Sequence, residues 1–532
     1  MEFDYVIVGA GSAGCVLANR LSADPRTTVA LLEAGRPDRS PWIHIPVGYF
    51  KTIKNPALNW MYQTEADPGL NGRSLNWPRG KTLGGSSSIN GLLYVRGQPQ
   101  DYDTWRQQGN VGWSWQDVLP LFKRAESWED GESALRGGLG PLAVTRSRKS
   151  WKIVDAWVRG AQQAGFTYNP DYNGEDQEGV GYFQLTAKDG LRCSSAKAYL
   201  SPIRDRGNLT VMTGFMTGKV LFEAKCAVAV EGTHDGAKLV VKARREIILA
   251  AGAIGSAQIM MLSGIGPGDH LAQHGIGVVH ENGAVGQNLQ DHLQARPVYK
   301  CKVPTINTRT RGLVNLTKIA AEYAFRRSGP MTMAASLGTG YLKTRPGLET
   351  PDIQFHIQPF SAENPTTGVD RFDAFTASVL QLRPESKGEI RLKSPDPREH
   401  PAIHPNYLST QLDQDTIVEG IRVARRICRQ QAIDELITEE HAPGRHVDDD
   451  DYDGLLDWAR NTATTIYHPT GTCRMGIDEQ AVVDPRLKVR GVDSLRIADC
   501  SIMPTIVSGN TNAPAIMIGE KASDMVMEDA RA

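Results

Sequence analysis

Residues 4–14 read DYVIVGAGSAG, and they open the segment around which the rest of the chain is organised. The run Asp4 to Val8 is short, apolar and β-branched, and glycines at 9, 11 and 14 follow it. A helical apolar pattern comes next, and a second apolar run from Val29 ends in Glu33. The order strand, glycine turn, helix, strand and acid predicts a dinucleotide-binding βαβ unit.

Each glycine of this segment has a separate physical role. Gly9 permits the turn, Gly11 lets the backbone approach a pyrophosphate, and Gly14 lets helix and strand pack closely. The helix N-terminus offers unpaired N–H groups to the phosphates. Glu33 follows Gly14 by 19 residues, which suits an acid that accepts ribose hydroxyls. Its charge disfavours NADP, but this stretch alone leaves FAD and NAD open.

Length, charge and cysteine usage exclude several classes of protein. The 532 residues predict about two to four domains. Basic and acidic residues are balanced, 59 against 60, so no nucleic-acid partner is expected. The seven cysteines form no CxxC pair, so neither a metal site nor a disulfide framework is predicted. Reduced thiols indicate a reducing compartment, and we expect a cytoplasmic protein.

One segment raises the question of membrane contact. The chain enters a strand at Phe3, leaving no room for a signal peptide, and no apolar run approaches the ~18 residues of a membrane span. We therefore expect a soluble protein. Residues Leu313 to Arg327 are basic and amphipathic, which suits a helix lying on a membrane surface. The same pattern suits a helix that covers the core, and we favour that interpretation.

Two later segments repeat the first crossover. Glu246 to Ala251 is a continuous apolar run that meets Gly252 and a helical pattern, and Leu495 to Ala498 is another that ends in Asp499. Such runs are typical of buried parallel strands. Between residues 208 and 230, three strand-like runs separated by turns predict an inserted β-meander.

The middle of the chain has a different character, which predicts a second domain. Residues 293–465 contain alternating strand-like stretches and one long helical pattern, typical of an antiparallel sheet. The predicted fold is α/β, a doubly wound FAD-binding Rossmann-like domain with an inserted antiparallel-sheet α+β substrate domain. We assign 1–150, 205–292 and 466–532 to the discontinuous nucleotide domain, and 151–204 and 293–465 to the substrate domain.

Two further motifs are candidates for chemistry. Arg79 to Gly91 is dense in small residues, so its backbone can lie against a flat or phosphorylated ligand. His468 precedes Pro469, which holds its backbone extended, and an imidazole titrates near working pH. From local sequence alone, His468 is one of 12 histidines and a core or surface position is the simpler interpretation.

Taken together, these motifs resemble the glucose–methanol–choline (GMC) oxidoreductases, which are FAD-dependent alcohol oxidisers. The resemblance covers essentially the whole chain. Four separated stretches carry it: the glycine motif with Glu33, GKTLGGSSSIN at 80–90, the segment from Gly252 through SGIG at 263–266, and His468-Pro469 with the stretch from Asn510 to Glu520.

The resemblance implies a set of cofactor and catalytic residues. The ADP half of FAD is expected on the first glycine motif with Val220 at the adenine, and the isoalloxazine against residues 84–93. His468 becomes the active-site base, and Asn512 becomes its partner. Independently of the resemblance, the local sequence predicts Asn512 as the N-cap of the last helix. Ile89 occupies the position where some members attach FAD covalently, so FAD should be non-covalent. The FAD contacts are expected at Gly9, Gly11, Ser12, Ala13, Gly14, Glu33, Ala34, Trp60, Arg79, Gly80, Thr82, Gly84, Gly85, Ser86, Asn90, Gly91, Leu92, Leu93, Val220, Ala251, Gly252, Ala498, Asp499 and Thr511.

The implied reaction oxidises a primary alcohol, aliphatic or aromatic, to the aldehyde. His468 takes the hydroxyl proton or hydrogen-bonds the oxygen, Asn512 positions that oxygen, and the hydride goes to flavin N5. The alternatives are an oxidase that uses O₂ in place of a quinone or other carrier, a choline dehydrogenase, and a lyase on the same scaffold. No aromatic cage or carboxylate marks choline specifically.

Overall fold

Two large sheets organise the chain in the computed structural model, which describes residues 1–362 and 368–531. The strands of these sheets are, in chain order, β1 (Glu2–Val8), β2 (Val29–Glu33), β3 (Gly179–Tyr182), β4 (Leu209–Thr213), β5 (Phe215–Glu223), β6 (Cys226–His234), β7 (Ala237–Leu249), β8 (Leu293–Ala295), β9 (Val298–Cys301), β10 (Gly338–Leu342), β11 (Ile353–Gln358), β12 (Ala374–Gln381), β13 (Ile437–Ala442), β14 (Thr464–Thr465) and β15 (Leu495–Ile497). The helices of nine or more residues are α1 (Ser12–Leu21), α2 (Pro99–Gln107), α3 (Trp115–Ala125), α4 (Lys152–Gln163), α5 (Gly252–Leu262), α6 (Leu313–Arg326), α7 (Gln411–Cys428), α8 (Tyr452–Thr462) and α9 (Asn512–Asp529).

The first sheet is the predicted nucleotide-binding sheet. Its parallel part has the order β4-β2-β1-β7, and β15 pairs with the end of β7. Val6 is opposite Ala30 on one side and Ile247 on the other, and all three side chains are fully buried. Burial on both faces explains why these strands read as continuous apolar runs. The doubly wound fold is confirmed.

The β-meander differs in one respect from the prediction. Its antiparallel strands are β5, β6 and β7, so Phe215 to Leu249 form the meander. The run that we expected to be its first strand, β4, instead pairs in parallel with β2 at the edge of the sheet. Sequence spacing alone does not distinguish these pairings, because both leave a tight turn at Gly214, whose φ is +74°.

The second sheet is antiparallel and has the order β13-β9-β12-β11-β10-β3, with β8 bridging β12 and β14. Residues opposite one another in neighbouring strands lie on the same face. Gln294 is opposite Leu380, and His356 is opposite Ser378, so one face of this sheet is rich in polar side chains. The other face is apolar and packs on helices; Phe355, for example, lies 5.4 Å from Trp157 of α4, centroid to centroid.

Helix α6 does not cover the core, so the interpretation that we favoured for this segment is wrong. Its only buried side chain is Tyr323, while Val314 is 68% and Phe325 89% exposed. Leu316 and Ile319 lie along the rim of the large cavity described below. The amphipathic pattern therefore belongs to a helix, α6, that has one face at the mouth of the cavity and the other face in solvent.

Residues 1–362 and 368–531 contain neither a membrane-spanning helix nor a cluster of metal-ligating side chains. In the part of the chain that the structure describes, no helix combines the length and hydropathy needed to span a bilayer. The same ranges hold no group of three or more histidine, cysteine or acidic side chains arranged to hold a metal ion.

Candidate active site

The carboxyl edge of the first sheet forms the floor of a cavity of about 970 Å³. The turn after β1 is tightly packed: Gly9 has φ +101°, and a Cβ on Gly14 would lie 1.9 Å from the Gly9 carbonyl oxygen. A Cβ on Gly11, in contrast, would meet nothing closer than the Ala250 oxygen at 3.8 Å. Gly9 and Gly14 therefore allow the turn and helix α1 to pack closely, and Gly11 leaves room for a ligand on the cavity side.

Most of the predicted cofactor residues line this cavity. The structure brings together there Gly9, Gly11, Ser12, Ala13, Glu33, Ala34, Trp60, Arg79, Gly80, Gly85, Ser86, Asn90, Gly91, Leu93, Ala251, Gly252, Asp499 and Thr511, with His468 and Asn512. These residues come from segments far apart in sequence, yet they converge on the edge where open α/β sheets bind ligands.

Six predicted contacts do not line the cavity. Gly14, Thr82, Gly84, Leu92, Val220 and Ala498 are absent from its lining. Gly84 donates its N–H to the Ala10 oxygen at 2.8 Å, and Thr82 donates its hydroxyl to the Arg36 oxygen at 2.8 Å. Ala498 donates its N–H to the Leu249 oxygen at 2.8 Å. These bonds hold the loops together, and contact of the six residues with FAD stays a prediction.

Val220 is the clearest example of a predicted contact that lies outside the cavity lining. Its N–H donates to the Ser263 hydroxyl at 2.8 Å, and its side chain is buried. The β5 residues that face the cavity are Phe215, Met216 and Thr217. The pairing of β5 with β6 shifts register between Thr217 and Lys219, so the alternation of side chains cannot be counted through this point.

Two buried carboxylates at the floor are held by backbone amides. Glu33 accepts N–H bonds from Ala10 at 2.9 Å and Gly35 at 2.7 Å. Asp499 accepts an N–H bond from Gly252 at 2.9 Å. Burial raises the pKa of both, for Glu33 to about 7. Both side chains order the turns that meet at the cavity.

The floor fits FAD on grounds independent of the motifs. A Cβ on Gly252 would meet nothing within 4 Å, so the backbone there is open to a ligand. The buried Arg79 Nε has no hydrogen-bond partner, and the side chain lines the cavity. Ile89, also in the lining, offers no nucleophile, and non-covalent attachment stays a prediction.

His468 lies at the other side of the cavity, in a chain of hydrogen bonds. Its Nδ1 is 3.0 Å from Nδ1 of His292, and Nε2 of His292 is 2.9 Å from the Leu382 carbonyl oxygen. The Nε2 of His468 is 3.0 Å from Nδ2 of Asn510. Both imidazoles are buried, at 5% exposure for His468 and 0% for His292.

The order of donors and acceptors in this series of hydrogen bonds fixes the tautomers of His292 and His468. The Leu382 carbonyl only accepts, so Nε2 of His292 must carry a proton. Burial lowers the pKa of His292 to about 4, so the ring is neutral and its Nδ1 is an acceptor. Nδ1 of His468 therefore donates, which leaves a lone pair on its Nε2. Burial also lowers the pKa of His468 well below 6.5, and the geometry presents a neutral base to the cavity.

The amide that contacts His468 is Asn510, and the prediction that Asn512 pairs with it is wrong. Asn512 is the first residue of α9, and its Oδ1 accepts the Ser12 hydroxyl at 2.8 Å. It is not the N-cap either, since Thr511 occupies that position without a side-chain bond. Asn510 lies in the loop before the helix, and its Nδ2 group points to Nε2 of the His468 imidazole.

Sequence reasoning also missed the residues that support His468. The Asp291 carboxylate accepts a hydrogen bond from the backbone N–H of His468 at 2.7 Å. It also accepts from the Thr465 hydroxyl at 2.5 Å and from the Tyr407 hydroxyl. Asp291 and His292 are adjacent in the chain, at the end of a segment that we assigned only to the nucleotide domain. An acid and a histidine side by side before a short strand are the signal that could have found them.

Comparison with known proteins agrees with this geometry. Models of the GMC oxidoreductase N-terminal and C-terminal regions match residues 3–294 and 384–519. The chain is 43% identical to an alcohol dehydrogenase [acceptor] of Pseudomonas putida over 99% of its length and 96% of the relative's. It is 41% identical to a mitochondrial choline dehydrogenase of Mus musculus, covering 99% and 89% of the two chains. The crystal structure of a pyridoxine 4-oxidase from Mesorbium loti superposes with a TM-score of 0.90 at 29% identity, covering 98% of each chain.

The two family models together cover most of the chain, and two relatives exceed 40% identity over nearly its whole length. The floor that fits FAD and the neutral imidazole opposite it are consistent with both findings. The chain therefore belongs to the GMC oxidoreductases, FAD-dependent enzymes that act on CH–OH groups.

Proposed function

We propose that this protein oxidises primary alcohols to aldehydes, with His468 as the base. The observation that carries the proposal is the lone pair on His468 Nε2, which the Leu382–His292–His468 chain fixes in a neutral ring beside the cavity. A neutral base at this position accepts the hydroxyl proton, and a general base contributes ~10²- to 10⁴-fold to such a step.

Asn510 positions the substrate in this proposal. Its Nδ2 group donates to His468 Nε2 when no substrate is present, and its Oδ1 has no partner. An alcohol oxygen entering between them accepts from Asn510 while its proton moves to Nε2 of His468. Bound FAD supplies the acceptor for the hydride. The role predicted for Asn512, which lines the same cavity, passes to Asn510.

The electron acceptor is proposed to be a quinone or another carrier rather than O₂. The Pseudomonas putida relative, an alcohol dehydrogenase [acceptor], supports this choice. The experiment is anaerobic reduction of the flavin by a panel of alcohols, followed in air by parallel assays of dye reduction and peroxide release. Bleaching with dye reduction and little peroxide is expected. Peroxide in proportion to alcohol would assign an oxidase, and turnover without bleaching would assign a lyase.

Helix α6 supports a peripheral contact with an anionic membrane surface. Its exposed apolar residues include Leu313, Val314 and Phe325. The helix and its flanks carry five basic residues and one acid: Arg309, Arg311, Lys318, Arg326, Arg327 and Glu322. Basic residues around exposed apolar side chains are typical of helices that lie in a bilayer interface. Sedimentation with phosphatidylglycerol vesicles tests this, and Phe325→Asp should release the protein. Equal sedimentation with phosphatidylcholine alone would contradict the electrostatic part.

A further inference from the structure

The polar face of the second sheet forms the side of the cavity opposite the floor, and we call it the roof. It carries more polar side chains than proton transfer requires. On β8 and its continuation, His292, Gln294 and Arg296 alternate with residues of the opposite face. On β11, His356 and Gln358 lie on the same face as Gln294, by the register with β12. All but His292 are part of the cavity lining. A row of polar groups therefore extends from the catalytic imidazole along the roof.

Arg296 is the charged member of this row. Its Nη2 donates to the Gln358 Oε1 at 3.2 Å, and its buried Nε has no hydrogen-bond partner. Within residues 1–362 and 368–531, no carboxylate lies within 4.0 Å of this guanidinium. Burial lowers the pKa of Arg296, and the more distant Asp370 carboxylate raises it only in part. A buried guanidinium without a carboxylate in direct contact is costly unless a ligand completes its hydrogen bonds.

Other groups near Arg296 are also incomplete. The hydroxyl of Tyr49, which lines the same cavity, has no partner, and neither does Nε2 of His356. Gln358 reaches the Ser336 hydroxyl only at 3.4 Å. Buried polar atoms are normally paired, so several unpaired atoms facing one cavity indicate that a polar ligand group belongs among them.

The charge of the lining distinguishes anionic from cationic substrates. In the described part of the chain, the acids of the cavity lining are Glu33 and Asp499, and both are bonded to backbone amides at the floor. The roof presents Arg296 and no acid. Aromatic side chains of Tyr49, Phe50 and Phe360 also line the cavity. A quaternary ammonium group among them would nevertheless be repelled by the Arg296 guanidinium, with no carboxylate of the roof to offset that repulsion.

We propose that Arg296 and Gln358 bind an anionic oxygen group, of the carboxylate class, at the end of the substrate remote from the alcohol. This inference rests on the proposed function and names its substrate class as hydroxy acids whose two ends are separated by an apolar chain. Arg296 follows His292 by four residues of extended backbone, which places their Cα atoms ~13 Å apart. A bidentate guanidinium contact with the carboxylate would complete the unpaired Nε.

The test uses the FAD-loaded enzyme and matched ligands. Straight-chain ω-hydroxy acids of graded length, their methyl esters, the corresponding 1-alkanols and choline are compared by anaerobic flavin reduction. A second readout needs no turnover: binding of alkanoates without a hydroxyl group, measured by the perturbation of the oxidised flavin spectrum. We expect the acids to exceed their esters in kcat/KM, choline to be the poorest substrate, and alkanoates to bind.

Arg296→Met should lower kcat/KM for the acids and weaken alkanoate binding by about 10- to 100-fold, as loss of a charged hydrogen bond predicts. The 1-alkanols should change by less than about threefold, because the variant leaves their polar contacts intact. Gln358→Leu should give the same pattern more weakly, and it serves if Arg296→Met does not bind FAD. Arg398→Met, whose side chain is 78% exposed and paired with Asp396, is the control.

The outcomes separate the two proposals. If no alcohol reduces the flavin but alkanoates bind through Arg296, the proposed function fails and the anion site stands. If alcohols reduce the flavin but acids and esters are equal, or choline is preferred, the anion site is overturned and the proposed function stands. Equal loss on acids and 1-alkanols in Arg296→Met would show only a structural role and would also overturn the site.

Discussion

The floor and the roof of the cavity are built from different parts of the peptide. At the floor, backbone N–H groups, glycines and two amide-bound carboxylates, Glu33 and Asp499, form the surface. At the roof, side chains from segments distant in sequence form the surface, such as those of Gln294, His356 and His468. A surface made of backbone does not depend on side-chain identity and suits the cofactor of the family, whereas substrate recognition depends on the side chains of the roof.

The two surfaces should therefore respond differently to substitution. The floor has no room for added atoms where Gly9 and Gly14 meet, so its variants should lose the cofactor or the fold. The roof contains polar atoms without partners, so its variants should keep FAD and change chemistry or specificity. Four predictions test this division.

The largest effect is expected at the roof, from His468→Gln. Gln keeps a polar side chain of similar length but offers no base, so flavin reduction by a primary alcohol should slow by ~10²- to 10⁴-fold. Rapid mixing under anaerobic conditions measures it, and the flavin absorbance of the purified variant shows whether FAD is retained. A loss below tenfold with full FAD content would show that His468 is not the base.

The second prediction compares two asparagines of the cavity lining that lie two residues apart. Asn510→Ala removes the donor at His468 Nε2 and should slow flavin reduction by roughly 10²-fold, as for removal of one oriented donor. Asn512→Ala removes only the contact with Ser12 and should change that rate by less than about threefold. The reverse order of effects would restore the original assignment of Asn512.

These asparagines also show where sequence reasoning stops. The floor was largely predictable, because a glycine spacing and a following acid determine a local backbone shape within one βαβ unit. Asn510 and Asn512 have the same chemistry and nearly the same position, and only the start of α9 decides which one faces the imidazole. His292 meets His468 across 176 residues of sequence, and no local pattern encodes that contact.

The lining of the floor shows the same limit on a smaller scale. Val220 and Thr217 both lie on β5, and a register shift between them leaves Thr217, not Val220, in the cavity lining. The sequence predicts a strand beside the cavity, but an irregularity in its pairing decides which of its residues line it. Long-range pairing and bulges are therefore the parts of this site that the sequence does not reveal.

The third prediction concerns the floor and compares two glycines. Gly14→Ala places a Cβ 1.9 Å from the Gly9 oxygen and should destabilise the protein by about 1–3 kcal/mol or more, with or without FAD. Gly11→Ala points into the cavity, so the apo protein should melt at the wild-type temperature but fail to gain stability from added FAD. Thermal unfolding of both apo and FAD-loaded forms measures this. Equal destabilisation of both apo variants would contradict separate roles for the two glycines.

The smallest effect is expected from substitution of His292, which acts on the reaction only by orienting His468. His292→Leu removes the acceptor of the His468 Nδ1 proton, so the tautomer is no longer fixed and flavin reduction should slow about 3- to 10-fold. His292→Gln, which can place a carbonyl oxygen near the same point, should recover most of that rate. If both variants behave alike, the hydrogen bond does not orient the base.

The pH profile separates orientation from simple packing. Burial lowers the pKa of His468, so the neutral base persists as pH falls through 6.5 and the rate should decline only at lower pH. His292 is neutral above its pKa of about 4 and accepts the Nδ1 proton of His468, a bond that favours the imidazolium. In His292→Leu the pKa of His468 should therefore fall further, and the acidic decline should begin at lower pH. A role limited to packing would lower the rate equally at every pH, because the protonation of His468 would be unchanged.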